Sequence, residues 1–420
     1  MTLQVRQAGG RRAAGMPFIL VAVLIDMIAI GLMIPVLPAW VGSFTASATE
    51  QAYAYGLVAF AFGIASFFGG PVLGALSDRF GRRPVLLLGF GVLATSFFVT
   101  AAATALWMLV AVRVLSGAMQ ANVAVAQAYV ADITPAGESR ARRFGLLGAM
   151  LGVGYTLGPV LGGVLGAVDL RLPFVAAGVL AVVNTLYGVF VLPESLPPDR
   201  RQPFRWRRAN PVGALRALGA LRGVGPMVWV IALAALAQFT LHISWVLHNT
   251  YKFGWGPKEN GWSLFAVGVA MAVVQGGLMK PLLRRFGPQR LAQVGLVSAT
   301  LAYLGWGLAT APWMMFAIIA LNVFGFAAAA SIQSLVSGAA SEHEQGRTMG
   351  SVASLNSLMG VMAPVIAAAL LALVAELPQG DPRIGLPLFF CAALQGLAAA
   401  IAWRHFQRQR SAAPSVAATP

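Results

Sequence analysis

The sequence predicts an all-α polytopic membrane protein, with twelve transmembrane helices in two pseudo-symmetric six-helix bundles. Three observations predict it. The chain is 58% hydrophobic and 10% charged over 420 residues, whereas a soluble domain is roughly 45–50% apolar and about 25% charged. Its apolar residues fall into runs of about 20, the length that crosses a hydrocarbon core of about 30 Å at about 1.5 Å per residue. Residues 75–165 also repeat the landmarks of residues 281–371 in a single register. A soluble core is excluded, because uninterrupted apolar stretches leave too few polar faces for water.

The first run, 17–41, follows a short basic segment and superficially resembles a signal peptide. Its apolar stretch exceeds the roughly 7–15 residues of a signal core and no small-residue cleavage site follows, so it reads as an uncleaved first helix. Spans at 54–77, 84–104, 106–131, 142–167 and 172–193 complete a first bundle, 1–193. Spans at 226–250, 262–283, 290–310, 313–337, 348–374 and 385–404 form a second, within 226–420. The connecting segment, 194–225, is rich in Pro and Arg. There Asn210 as N-cap and Pro211 as first helical residue predict a short helix. Leu215, Leu218 and Leu221 beside Arg216 and Arg222 would let that helix lie at the cytoplasmic interface.

The repeat has an offset of 206: "RFG" at 79–81 falls on "RFG" at 285–287, and "WM" at 107–108 on "WM" at 313–314. Gln127 falls on Gln333, Glu138 on Glu344 and Gly154 on Gly360. Six helices plus six, each set beginning on the same side, imply parallel repeats about an axis along the membrane normal.

A formal net charge of +16 invites a nucleic-acid reading, which the placement of the charge excludes. Of 29 lysines and arginines, only Arg171, Lys252, Lys258 and Arg383 fall in loops of one side, and Arg113 lies within a span. The rest line the other side, which the positive-inside rule makes cytoplasmic. Both termini are therefore expected in the cytoplasm, with the chain multi-pass in the inner (plasma) membrane and drawn to anionic lipid. The single cysteine, Cys391, excludes an internal disulfide.

Charge concentrates in one short loop, "GALSDRFGRRP" at 74–84. Gly74 and Gly81 allow close packing and a tight turn. Asp78, near a helix end, can accept from backbone N–H groups or pair with Arg82. With Arg79 the cluster suits a cytoplasmic latch between the two helix bundles, which holds one packing and releases it in another. The loop resembles the signature loop of the major facilitator superfamily, G-x-L-x-D-R-x-G-R-R/K. More of the chain is similar to its twelve-helix drug/proton antiporters, above all the tetracycline efflux transporters. "IDMIAIGLMIPVLP" (25–38) is similar to their first helix and "RVLSGAMQANVAVAQAYVADIT" (113–134) to their fourth. "GVGYTLGPVLGG" (152–163), with Gly154, Gly158, Pro159 and Gly162, resembles their antiporter motif, and "EQGRTMGSVASLNSLMG" (344–360) the start of the eleventh helix. The resemblance implies the major facilitator fold, alternating access, and export of a small organic compound in exchange for protons. Those transporters carry acids in the third and ninth helices and a histidine in the eighth, where this chain has Ser96, Ala299 and Met271. The departure points to a less charged or cationic, lipophilic cargo beside aromatics such as Phe60, Phe239, Trp245 and Phe324.

Asp26 is the only acid well inside a span. A charge there costs roughly 2.5–3.5 kcal/mol on insertion scales, so intramembrane acids face a cavity and carry function. Low-dielectric surroundings favour the neutral form of a carboxyl group, which lets it load a proton on one side and release it on the other. Arg113 is the matching cation, and Gly117, Gln120, Ala124 and Gln127 follow it at spacings that align them on one helix face. These residues are expected to line the path, together with His242, Trp245, Asn249 and Gln333. No histidine has carboxylate or thiolate partners at metal-ligand spacing, and no G-x-x-x-x-G-K-[ST] loop occurs. The expectation is therefore a monomeric, non-enzymatic transporter without cofactor or metal, whose partners are a small molecule, protons and membrane lipid. The alternatives are an uncoupled or importing facilitator of a sugar or metabolite, and a receptor or scaffold that moves nothing.

Overall fold

The computed structural model describes residues 2–120, 122–134, 138–204, 225–339 and 345–412, without the side chains of 2–14, 138, 139, 141, 225, 336–339, 345–349 and 410–412. Among them every regular element is helical. The short interfacial helix expected over 211–222 lies outside the described residues, as does Glu344 of the repeat.

In chain order the helices are α1 (Thr2–Met33), α2 (Leu37–Gly42), α3 (Ala48–Phe80), α4 (Arg82–Ala101), α5 (Leu106–Ala118), α6 (Asn122–Ile133), α7 (Glu138–Gly166) and α8 (Leu172–Val191). They continue as α9 (Gly225–Phe253), α10 (Pro257–Val273), α11 (Met279–Leu308), α12 (Pro312–Leu321), α13 (Val323–Ala339), α14 (Gln345–Ala372) and α15 (Leu386–Ala412). A π-helical turn, Val274–Leu278, joins α10 to α11. Among the described residues ten stretches are long and apolar enough to cross a membrane, and eleven if the bent pair Pro312–Leu321 and Val323–Leu335 is one span. One of the ten, Pro257–Leu308, is two helices that meet at Gly287, where φ is 70°.

Local sequence sets the element ends. Ser47 Oγ accepts from Glu50 N at 3.1 Å while Glu50 Oε2 accepts from Ala46 N at 2.7 Å. With Ser47 as N-cap, these two bonds start α3 six residues before the expected span. Gly81 closes α3 with φ 108°, a left-handed value that glycine reaches without Cβ strain. Gly287 holds the same place in the second repeat, also at positive φ. The neighbouring cations repeat too: Arg79 lies over the Phe80 ring and Arg285 over Phe286.

The expected fourth span, 106–131, falls within one candidate span, Leu106–Ile133. Within it α5 ends at Ala118 and α6 begins at Asn122. Arg113 and Gly117 are buried, whereas Ala124 and Gln127 are exposed.

The chain divides into two compact units, Met1–Pro211 with Asn249–Val269, and Val212–His248 with Ala270–Pro420. In the first, Asn184 Nδ2 on α8 donates to Ala22 O on α1 at 2.9 Å, and Trp40 Nε1 on α2 donates to Thr100 O at 2.9 Å. Ile19, Leu86, Phe90, Tyr129 and Leu147 fill the core between these helices. The segment Asn249–Val269, which sequence symmetry places with the second bundle, packs here instead. Tyr251 Oη donates to Ala48 O at 3.2 Å, and a Cβ on Gly261 would stand 2.6 Å from Pro159 O on α7. In the second unit α9, α11, α14 and α15 enclose Val230, Leu296, Met359 and Ala398.

Candidate functional site

Asp26 sits in the apolar middle of α1 and is 4% exposed. Its neighbours Val23 and Met27 belong to the core of the first unit. Among the described residues no Lys, Arg or His nitrogen lies within 4.0 Å of it. Asn122 at the start of α6 is the polar side chain that faces Asp26. Asp26 is thus enclosed by its own bundle, with Asn122 as its polar neighbour.

Arg113 on α5 is 6% exposed and has no carboxylate within 4.0 Å among the described residues. Its guanidinium donates to the Met33 sulfur of α1. Gln120 lies with it on a small cavity that Ser96 also lines. Gln127 stands apart, exposed on α6.

The glycines of α7 pack against α1 and α10 inside the first unit. A Cβ on Gly154 would meet Met27 Cβ at 2.5 Å, and one on Gly158 would meet Gly31 Cα at 2.5 Å. One on Gly162 would strike Leu32 O. Side chains are excluded from this line because two helix backbones touch there. Pro159 lies inside α7, and its carbonyl oxygen faces Gly261.

The charged loop forms a knot. Asp78 Oδ1 lies 2.6 Å from Arg82 Nη1, and Asp132 Oδ2 at the end of α6 lies 3.0 Å from Arg82 Nε. Ser77 Oγ accepts from Arg82 Nη1 at 2.6 Å. Glu194, just after α8, accepts from the backbone N–H groups of Arg82 at 2.9 Å, Ser195 at 2.9 Å and Leu196 at 3.0 Å. Gln202 N donates to Asp78 O at 3.0 Å, which ties down the start of the linker. All these partners lie in the first unit. Arg79 stays outside the knot, stacked on Phe80. Gly74 does not serve close packing, since a Cβ there would meet nothing within 4 Å.

In the second unit α9 carries a hydrogen-bonded chain. Tyr303 Oη donates to Gln238 Oε1 at 2.9 Å, and Gln238 Nε2 lies 3.2 Å from His242 Nε2. Gln238 and His242 are exposed in the middle of an apolar span. Trp245 does not share their face. It is buried and meets the Trp306 ring edge-on at 5.0 Å. Asn249 belongs to the first unit, where Asn249 Nδ2 donates to Asn260 Oδ1 at 3.3 Å. Gln333 is exposed on α13, and Phe324 packs on Phe286 at 5.7 Å.

Sequence reading missed Asp132, Glu194, Asn122, Gln238 and Tyr303. Asp132 and Glu194 carried a signal, since both acids fall at helix ends on the side that holds the basic loops. Asn122, Gln238 and Tyr303 carried only the weaker one of polar side chains within apolar runs.

The model of the Major Facilitator Superfamily matches residues 19–364. The class C tetracycline resistance protein of Escherichia coli is 37% identical over 86% of this chain and 91% of its own length. The class G tetracycline resistance protein of Vibrio anguillarum is 33% identical over 82% of this chain and 87% of its own length. Among solved structures, that of the human organic anion transporter MFSD10 (TETRAN) superposes with a TM-score of 0.69 at 23% identity, covering 93% of this chain and 99% of that one. The packed helical units, the glycine-faced α1–α7 contact and these similarities agree: the chain belongs to the Major Facilitator Superfamily and is an integral membrane transporter.

Proposed function

We propose that the chain is a proton-coupled antiporter that exports a small lipophilic drug-like compound, of tetracycline or multidrug type, by alternating access. One observation carries the reading: a carboxyl group, Asp26, lies in the apolar middle of α1 with no cation beside it among the described residues. An acid so placed changes charge as its surroundings alternate between dry and wet, which couples a proton to a rearrangement of the bundle. The similarity to tetracycline resistance proteins supports export of a drug. The cargo path takes in Arg113, Gln120, Gln127 and Gln333, with Gln238 and His242 added on α9. The knot of Asp78, Arg82, Asp132 and Glu194 has a conformational role, holding α3, α4, α6 and the linker start as one body. The protein works as a monomer in the inner (plasma) membrane, with both termini cytoplasmic.

Proteoliposomes holding the purified chain and an imposed pH gradient test this. An antiporter accumulates a labelled drug or dye against its concentration, and a protonophore abolishes the accumulation. Simple equilibration would instead mean an uncoupled facilitator of the same fold, and no movement a receptor or scaffold.

A further inference from the structure

Arg113 poses a problem that the transport reading leaves unsolved. A guanidinium has five N–H donors and keeps its charge under all ordinary conditions. Here it is 6% exposed, and the one acceptor its side chain reaches among the described residues is the sulfur of Met33. A thioether is a weak acceptor and carries no charge. Asp26, the other intramembrane charge of the same unit, is not within 4.0 Å of it. Burying one charge without an opposite one is strongly disfavoured in a low-dielectric interior.

The surroundings show what would relieve it. Arg113 borders a cavity of about 30 Å³, larger than the roughly 10–15 Å³ that one water needs. Its walls are apolar, including Ile30, Leu93 and Phe97, and every polar side chain that lines it can donate a hydrogen bond. Ser96 Oγ lines it, 2% exposed and without a hydrogen-bond partner. Gln120 adds a side-chain amide. The hydroxyls of Thr100 and Ser116 donate to backbone carbonyls instead. A guanidinium and a spare hydroxyl around a space for a few atoms make a receptor for one negative charge.

We propose that this cavity, within the first unit, binds a single monovalent anionic group through Arg113 and Ser96. The group is either a free halide such as chloride or the carboxylate end of an organic cargo. Bound, it supplies the opposite charge that no described carboxylate brings within 4.0 Å of Arg113, so occupancy stabilises the first unit. The proposal concerns equilibrium binding and stands whether or not transport is coupled to protons.

Thermal unfolding of the full-length chain in detergent, at fixed ionic strength, tests it. Sodium chloride and bromide are compared with sodium gluconate, an anion too large for the cavity, and with sodium acetate as a small carboxylate. A saturable rise in midpoint with chloride and bromide identifies a halide site. A rise with acetate alone identifies a carboxylate site for cargo. Ser96→Ala should weaken the apparent anion affinity about tenfold, the value of a hydrogen bond to a charged group. Ser96→Asp supplies an internal carboxylate and should be as stable in gluconate as the unaltered chain in chloride, with no further anion response. Midpoints that are equal in all four salts, or an anion response that Ser96→Asp retains in full, would overturn the proposal.

Discussion

Alanine at Gly158 should destabilise the protein, while alanine at Gly152 of the same helix should stabilise it. The difference follows from what each new methyl group meets. A Cβ on Gly158 would stand 2.5 Å from Gly31 Cα and 2.8 Å from Ile28 O, whereas one on Gly152 meets nothing within 4 Å. To restore the 3.4 Å of ordinary contact, α1 must retreat by about 0.9 Å. Neighbouring Gly154 and Gly162 seat the same helix pair closely, so that retreat loosens the whole line. Overpacking of this kind costs about 1–3 kcal/mol. At Gly152 the helix gains about 0.5–1 kcal/mol, because alanine loses less backbone freedom than glycine on folding. Thermal unfolding of each purified full-length variant in detergent reads both signs on one scale. Equal shifts in the same direction would refute the claim that backbone contact between α1 and α7 sets this spacing.

Three further outcomes follow from the contacts. Glu194→Ala leaves the N–H groups of Arg82, Ser195 and Leu196 without their acceptor. It should cost about 1–3 kcal/mol in thermal unfolding, while Glu194→Gln, which keeps an acceptor oxygen, costs less. Asn184→Ala removes the buried bond to Ala22 O and should cost about 1 kcal/mol in the same assay. Gln238→Leu severs Tyr303 from His242. Because Tyr303 is buried and its hydroxyl loses its acceptor, the unfolding midpoint should fall by the equivalent of about 1–3 kcal/mol, and transport in proteoliposomes should fall with it.

The helices were legible because apolar runs of spanning length leave the chain no other way to satisfy its backbone in lipid. The "RFG" pairs marked equivalent turns, and Gly81 and Gly287 both adopt positive φ. The end of α5 at Ala118 was not legible, for Met119 and Gln120 include no proline to announce it. The partners of the charged loop were hidden for a different reason. Arg82 meets Asp132 fifty residues away and Glu194 at a separation of 112, distances that local pattern cannot bridge. Asn249–Val269 likewise joins the first unit through Gly261 on α7, a fit that exists only when both helices are present. Asp26 and Arg113 were found as isolated charges in apolar runs. Their separate surroundings, Asn122 for one and Ser96 for the other, came from the fold.

The most direct test of the central claim is cargo movement by Asp26→Asn in proteoliposomes under a pH gradient, measured beside exchange of labelled for unlabelled cargo without one. Asparagine keeps the size and hydrogen-bonding capacity of the side chain and removes its proton chemistry. The account predicts that accumulation against concentration disappears while exchange continues. Undiminished uphill accumulation by Asp26→Asn would contradict it.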